Sequence, residues 1–353
     1  MIVLDLECKN FRNLSNIHIT PCENMNVICG ENAQGKTNII EAIWLFTGAK
    51  SFRGAKDSEF LKFSEEKTRN NLNFESKGIR TKATLQFEDK KTAFLNDKKI
   101  KSVSALAGNF NSIVFSPIDL NIVSEGPKIR RKFIDLAICQ IYPSYISVLK
   151  QYIRAVTQRN QAIKDFKYDS TVSVMLDVFE NEIATLGKKI IDMRLRYLEL
   201  LQDFLPTLYD GISNGKEKLE VKYMPSTNEN LEEALKKTRK DDMFSGVTTV
   251  GPHRDDIDFK INDISARNYG SQGQKRSVAL AVKLAEAEVI NKKTGEYPVI
   301  LLDDVMSELD KSRQNFVLNH TKEMQTFLSC CDPSNIENLK GGKIFNVKGG
   351  EVF

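Results

Sequence analysis

The sequence predicts an α/β nucleotide-binding fold, a mixed sheet with flanking helices, interrupted by a helical insertion. Three observations predict it: a phosphate-loop motif near the start, an apolar run ending in two aspartates about 265 residues later, and two long helical series between them. The motif is Gly30-Glu31-Asn32-Ala33-Gln34-Gly35-Lys36-Thr37, which reads G-x-x-x-x-G-K-[ST]. The strand-like run Met25-Asn26-Val27-Ile28-Cys29 precedes it, and helix formers carrying Ile39, Ile40, Ile43, Leu45 and Phe46 follow. Strand, loop and helix in that order let backbone N–H groups and a helix N-terminus converge on anionic oxygens. Lys36 is placed to bridge β- and γ-phosphates, and the Thr37 hydroxyl to hold Mg²⁺.

The 353 residues suffice for one large domain or two. A hydrophobic fraction of 41% and a charged fraction of 28% are ordinary for a soluble globular chain. The net charge of +4 is compatible with nucleic acid without arguing for it. Six cysteines form no C-x-x-C and follow no secretory leader, so reduced thiols are expected. The histidines, His18, His253 and His320, are far apart in sequence, and no zinc site is expected. No apolar run approaches the roughly 18 residues of a membrane span, so a cytoplasmic protein without a membrane partner is expected.

Residues 2–29 read as short strands: Ile2–Leu6, Lys9–Leu14, Ile17–Ile19 and the strand entering the phosphate loop. A polar connection is expected from Ser51 to about Asn73. Ala83, Leu85 and Phe87 then alternate with polar residues as a strand does. Thr92–Leu95 and Lys99–Lys101 flank Asn96-Asp97-Lys98, a hairpin turn. Ile113–Phe115 is a further strand.

Pro127 opens a helical run at a first-turn position, where its missing N–H matters little. Beyond Pro143, Ile146, Leu149, Ile153, Val156, Asn160 and Ile163 fall at steps of three and four. From Val172 the series runs Leu176, Phe179, Ile183, Leu186, Ile190, Met193, Tyr197, Leu200 and Phe204, a heptad spacing. Lys164–Ser170 between them is short and polar, which suits the turn of an antiparallel helical arm. The same spacing also suits an ordinary helical subdomain. The expected division is an ATPase lobe of residues 1–120 and 245–353, with residues 121–244 as an inserted helical lobe.

Leu219–Tyr223 and Ile257–Ile261 read as strands. Ser271 and Gln274 form an S-x-x-Q capping box, which marks a helix N-terminus before the Ala- and Leu-rich run ending near Lys292. Val299-Ile300-Leu301-Leu302-Asp303-Asp304 is a buried parallel strand delivering acids to a magnesium site. Thr326–Cys330 is another buried strand.

A capped Ser-Gln-Gly-Gln turn just ahead of this acidic strand, far from the phosphate loop, resembles ABC-type ATPases. In these the Ser-Gly-Gly-Gln signature of one subunit closes over the γ-phosphate held by another. The heptad insertion resembles SMC and DNA-repair heads with a shortened arm. Lys9–Leu14, Gly30–Thr37, Phe115–Leu120, Gly126–Asp135, Gly251–Asp256, Ser271–Arg276 and Leu302–Asp310 together resemble the bacterial RecF family, from one end of the chain to the other.

The resemblance implies a cytoplasmic protein of DNA replication, recombinational repair and the SOS response. It implies binding of single- and double-stranded DNA with ATP, work with RecO and RecR to place RecA at gaps and stalled forks, and a weak DNA-dependent ATPase used as a switch. It implies ATP on Gly30, Glu31, Asn32, Ala33, Gln34, Gly35, Lys36 and Thr37, and Mg²⁺ at Thr37 and Asp303. Asp304 stands where transporters carry the glutamate that activates water, which makes it the candidate general base. Ser271, Gln272 and Gly273 would act on the γ-phosphate of a partner in an ATP-dependent homodimer, with Ser307–Asp310 as the adjoining loop. Arg12 would approach the nucleotide by analogy.

Two departures stand out: Lys275 stands where the family usually has glutamine, and in Thr326-Phe327-Leu328-Ser329-Cys330-Cys331 the family usually shows threonines and transporters a histidine, which leaves the γ-phosphate sensor unassigned. An aspartate shorter than glutamate at position 304 fits slow hydrolysis.

The basic groups Lys128/Arg130/Arg131/Lys132, Lys188/Lys189/Arg194/Arg196 and Lys236/Lys237/Arg239/Lys240 could touch DNA phosphates, but each reads first as a solvated face, and none is assigned to DNA. Two other classes fit less well. A transporter motor subunit would need a surface for a membrane partner, and a P-loop kinase has no use for the signature helix.

Overall fold

The computed structural model describes residues 1–165, 173–213, 215, 217–331 and 342–353. The chain divides into two units: Met1–Asn121 with Thr207–Gly215 and Ala279–Phe353, and Ile122–Pro206 with Lys216–Val278.

The first unit carries two six-stranded sheets. One is antiparallel, in the order β2-β1-β4-β5-β6-β7, from β1 (Ile2–Phe11), β2 (Leu14–Ile19), β4 (Thr68–Ser76), β5 (Ile79–Phe87), β6 (Thr92–Leu95) and β7 (Lys98–Lys99). The other runs β15-β14-β3-β13-β12-β8, from β3 (Met25–Cys29), β8 (Ser112–Phe115), β12 (Val299–Leu302), β13 (Thr326–Cys330), β14 (Lys343–Lys348) and β15 (Glu351–Val352). Its five strands from β14 to β8 are parallel.

All four residues of β8 and of β12 are buried, as a parallel strand covered on both faces requires. Helix α1 (Lys36–Trp44) packs on β12 and β13 on one side and β1 on another, and Ile39, Ile40, Ala42 and Ile43 are wholly buried. A helix apolar nearly all round belongs inside.

The second unit contains the antiparallel sheet β11-β10-β9, from β9 (Leu219–Met224), β10 (Asp256–Ile261) and β11 (Ile264–Ser265). Helices α2 (Pro127–Ile141) and α4 (Ser173–Gln202) pack on it, and α3 (Ser144–Asp165) and α6 (Leu231–Ser245) pack on α4. The short α5 (Leu205–Ser213) and α7 (Ala266–Tyr269), the long α8 (Gln272–Thr294) and α9 (Lys311–His320) complete the helices named here. Helices α3 and α4 are antiparallel: Tyr152 lies beside Gly187, Arg159 bonds Glu180, and Ile163 clusters with Leu176. The expected turn at Lys164–Ser170 lies, from residue 166 onward, outside the described residues.

Four expectations are corrected. The runs Ile2–Leu6 and Lys9–Leu14 are not separate strands: β1 continues to Phe11, and the chain reverses at Arg12, whose φ is 53°. The polar connection ends earlier than Asn73, because β4 starts at Thr68. Its inward positions Thr68 and Asn70 are polar yet buried, which hid the alternation.

The stripe of α3 is also displaced. Ile153 is 54% exposed, while Tyr145, Tyr152, Ala155 and Arg159 face inward. The buried face is built from long side chains whose polar ends find partners, and aliphatic spacing alone misplaces it. Finally, residues 245–278 cluster with the second unit rather than the first, because β10 pairs along its whole length with β9 and Asp256 receives Arg130 of α2. Strand β14, parallel to β3, had no counterpart in the sequence reading.

Candidate nucleotide site

Brought side by side at one edge of the parallel sheet are the ends of β3, β13 and β12, and ligands of open α/β sheets gather beyond such an edge. The phosphate loop leaves β3 there. Gly30 has its N–H 3.3 Å from the Cys330 carbonyl, and a Cβ on it would stand 2.3 Å from the Val347 carbonyl oxygen. Gly35, at φ 123°, caps α1, and a Cβ there would meet the Asn13 side chain at 2.9 Å. Both positions demand glycine.

Lys36 is buried, and its ammonium donates to the carbonyls of Gly30 at 2.7 Å and Glu31 at 3.0 Å. The loop is held from outside as well. The Asn13 amide donates to the Ala33 carbonyl, the Asn38 amide to Asn13, and the Gly349 and Gly350 amides to Gln34. Asn13, Asn32, Ala33, Gly35, Lys36, Thr37, Asn38, Arg53 and Asp304 line an open cavity of about 340 Å³.

Thr37 donates from Oγ1 to Asp303 Oδ1 at 2.9 Å, so the residues expected to share a cation already touch. Asp303 is buried, and burial pushes its carboxyl up, opposed by the hydrogen bond from Thr37 and reinforced by the charge of Asp304. A carboxylate out of water beside a second acid is a site that a cation would relieve.

Asp304 follows in the left-handed region at φ 50°, a conformation Asp tolerates and active sites use. Its N–H donates to Ser329 Oγ at 2.9 Å. Ser329 Oγ also lies 3.0 Å from Asp303 Oδ1 and 3.3 Å from Asp304 Oδ1. This serine, buried at the end of β13, thus touches both acids, a role the sequence did not single out.

Arg53, which donates to Asn38 Oδ1 at 3.0 Å, was also passed over. It lies sixteen residues beyond Thr37 in a polar connection, and nothing local marks it. Arg12 donates from Nε to the fully buried Glu41 at 2.6 Å and stacks over Phe60, so it is engaged with α1.

In the second unit the signature turn is built as the capping box demands. Ser271 N–H donates to Gln274 Oε1 at 2.7 Å, and Gln274 N–H donates to Ser271 Oγ at 3.2 Å. Ser271 and Gln272 are exposed and Gly273 is half-buried. Helix α8 therefore presents its N-terminus to solvent.

The basic groups are partly consumed by the fold. Arg130 pairs with Asp256, Arg194 with Asp135, and Arg239 with Asp177 and Glu180. Among the described residues, the further group with metal-ligating side chains in reach is Asp5, Glu7 and His18, all on the antiparallel sheet, with His18 paired to Asp5.

The family model "RecF/RecN/SMC N terminal domain" matches residues 2–348. The protein is 39% identical to the DNA replication and repair protein RecF of Agathobacter rectalis, over all of this chain and 99% of that one. It is 38% identical to the RecF of Bacillus cytotoxicus, over all of this chain and 98% of that one. The solved structure of the recombination mediator protein RecF-ATPrS in the RecFOR pathway superposes with a TM-score of 0.93 at 37% identity, covering 99% of this chain and 97% of that one. An Smc head domain from Pyrococcus furiosus, at 16% identity and a TM-score of 0.55, shares the fold. With the phosphate loop, the acidic strand and the capped signature helix all in place, the chain belongs to the RecF family of DNA replication and repair proteins.

Proposed function

We propose that the protein is an ATP-gated DNA clamp of recombinational repair. Two copies sandwich ATP, the dimer engages single- or double-stranded DNA at gaps or stalled forks, and slow hydrolysis releases it. The observation that carries this reading is the contact of Thr37 with Asp303 beneath the glycine-fixed loop, together with a solvent-facing Ser271. Relatives solved as RecF-ATP and RecF-ATPrS support it.

The amides of Gly30–Thr37 would hold the triphosphate, with Lys36, now on the Gly30 and Glu31 carbonyls, free to turn its ammonium to phosphate oxygens. Thr37 and Asp303 would hold Mg²⁺, which supplies charge neutralisation at those oxygens. Asp304 accepts a proton from the attacking water, held in place by Ser329. Ser271, Gln272, Gly273 and the first amides of α8 complete the anion cage of the neighbouring copy, since an exposed helix N-terminus carries positive potential. In the cell the clamp acts in the cytoplasm during replication, repair and the SOS response, with RecO and RecR as partners in loading RecA.

The reading is favoured over a transporter motor by the family and by helices α3 and α4, which are clasped by α2 and α6. Among the described residues no helix is long and apolar enough to cross a membrane.

The test is sedimentation with and without ATP, with DNA binding followed in parallel. The wild type should dimerise on ATP, and Lys36→Met and Ser271→Arg should abolish dimerisation and DNA retention together. Dimerisation that persists in Ser271→Arg would sink the clamp.

A further inference from the structure

Two successive peptide units of the phosphate loop are braced from outside. The Ala33 carbonyl accepts from Asn13 Nδ2 at 3.3 Å, and the Gln34 carbonyl accepts from the Gly350 N–H at 3.1 Å. None of the described peptide bonds is cis. In a planar trans peptide the carbonyl of one residue and the N–H of the next point in opposite directions. Fixing these two carbonyls therefore turns the Gln34 and Gly35 N–H groups away from the braces. Ala33 needs the restraint: its φ of 64° lies in the left-handed region that a Cβ disfavours, and the residue is exposed, so packing does not hold it there.

The braces are themselves held. Arg53 donates to Asn38 Oδ1 at 3.0 Å, and a guanidinium has only donors, so Asn38 presents its Nδ2 to Asn13 Oδ1, at 2.7 Å. Asn13 is thereby left with Nδ2 for the Ala33 carbonyl. On the other side, Gly349 and Gly350 form the turn between β14 and β15, at φ 59° and 80°. The Gly349 N–H donates to Gln34 Oε1 at 2.6 Å. Gly350 is buried, and a Cβ on it would stand 2.1 Å from the Asn13 carbonyl oxygen, so the two braces meet at Asn13.

We infer that Asn13 and Gly350 are positioning residues for the triphosphate: acting through the Ala33 and Gln34 carbonyls, they hold two loop amides ready for anionic oxygens, and so set the affinity for phosphates rather than for the nucleoside. The inference deepens the triphosphate reading above and rests on it. Backbone amides aimed together at one point bind anions. A loop already in its bound shape loses less conformational freedom when the ligand arrives, and the difference appears as affinity.

The experiment measures binding of ATP with Mg²⁺, and of inorganic tripolyphosphate, which has neither base nor sugar, to the full chain by calorimetry. Urea unfolding of the nucleotide-free protein runs alongside. Asn13→Ala and Gly350→Ala should each weaken both ligands by the same factor, roughly fivefold, the worth of one hydrogen bond. A purely structural defect would lower the folded fraction and leave the Kd of the folded remainder unchanged. Where Gly350→Ala does not fold, Gln34→Ala removes the acceptor of the Gly349 N–H from the loop side, and should weaken both ligands in equal proportion. Unchanged affinities in folded variants would overturn the inference. So would a loss for ATP that tripolyphosphate does not share, or a wild type that binds ATP but not tripolyphosphate, since affinity would then be set by the nucleoside. Failure of the wild type to bind either ligand would instead overturn the triphosphate reading itself.

Discussion

Two polar clusters, one in each unit, are built from the same residue types to opposite ends. Where α3, α4 and α6 meet, Arg159, Glu180 and Asp242 have no exposed surface at all. Arg159 donates to Asp242 at 2.7 Å, to Glu180 at 2.8 Å and to Thr248 at 2.9 Å. Asp242 also accepts from the Thr249 amide and hydroxyl, and Glu180 from Arg239.

Each carboxylate there has a guanidinium, and each of the four carboxylate oxygens accepts at least one hydrogen bond. At the sheet edge of the other unit, among the described residues, Asp303 accepts from the hydroxyls of Thr37 and Ser329, while Lys36 rests on carbonyls. Among the described residues neither Asp303 nor Lys36 is in an ion pair, although Arg53 lies 3.9 Å from the Glu41 carboxylate. The first cluster is closed and fixes three helices; the second is left open, as the proposed triphosphate site requires.

The sharpest way to break the comparison is Arg159→Met. Removing one cation leaves Glu180 and Asp242 buried without it, and the cost expected is about 3–5 kcal/mol of stability. Urea unfolding should show the loss, and it should appear whether or not nucleotide is present. Lys36→Met should do the reverse: unfolding stability within about 1 kcal/mol of wild type, but ATP affinity down about 100-fold, or roughly 2.7 kcal/mol. If Lys36→Met unfolds the chain and Arg159→Met spares it, the two clusters have been assigned the wrong way round.

A smaller effect is expected at the bridge between the two acids. Ser329→Ala leaves the Asp304 N–H without its acceptor and Asp303 without one of its two hydroxyl partners. Leaving one buried donor unsatisfied costs about 1–3 kcal/mol. With nucleotide bound, the consequence should be slower hydrolysis rather than weaker binding, because Ser329 aims Asp304. A single-turnover assay at saturating ATP separates the two, and a change confined to affinity would show that Ser329 does not position the base.

The phosphate loop, the acidic strand and the capped turn at Ser271 were legible because each is local: a handful of consecutive residues dictates backbone and chemistry together. The antiparallel helix pair was legible from periodicity, although its α3 face was read one position off. Tyr145, Tyr152 and Arg159 look polar in sequence, and become core only through partners outside their own helix, Asp135 and His253 for the two tyrosines.

The same holds for β4, where Thr68 reaches the Lys9 carbonyl and Asn70 is buried inside the sheet. Ser329, noted only within a run that departs from the family pattern, and Arg53, passed over, went unassigned for a related reason. Their importance lies in what tertiary contact brings to them, Asp303 and Asp304 in one case and Asn38 in the other.

The mildest prediction uses the motif Gly251–Asp256, whose purpose the sequence left open. His253 is the link: its Nδ1 lies 2.7 Å from the Tyr152 hydroxyl and its Nε2 3.0 Å from the Thr248 carbonyl. A neutral ring serves both, with Nε2–H donating to the carbonyl and Nδ1 accepting from the tyrosine. Burial holds the imidazole below its ordinary value of 6.5, against a smaller upward pull from its bond to Thr248. The unfolded chain therefore binds a proton before the folded one does as pH falls. The contribution is fully present above 6.5 and is lost as pH falls through the depressed folded value. Unfolding midpoints of the wild type and His253→Gln, compared from pH 7.5 down to about 5, should converge as this proton is taken up. A gap that widens toward acid would mean that the protonated ring is the one the fold prefers, and that His253 pairs with an acid rather than with Tyr152.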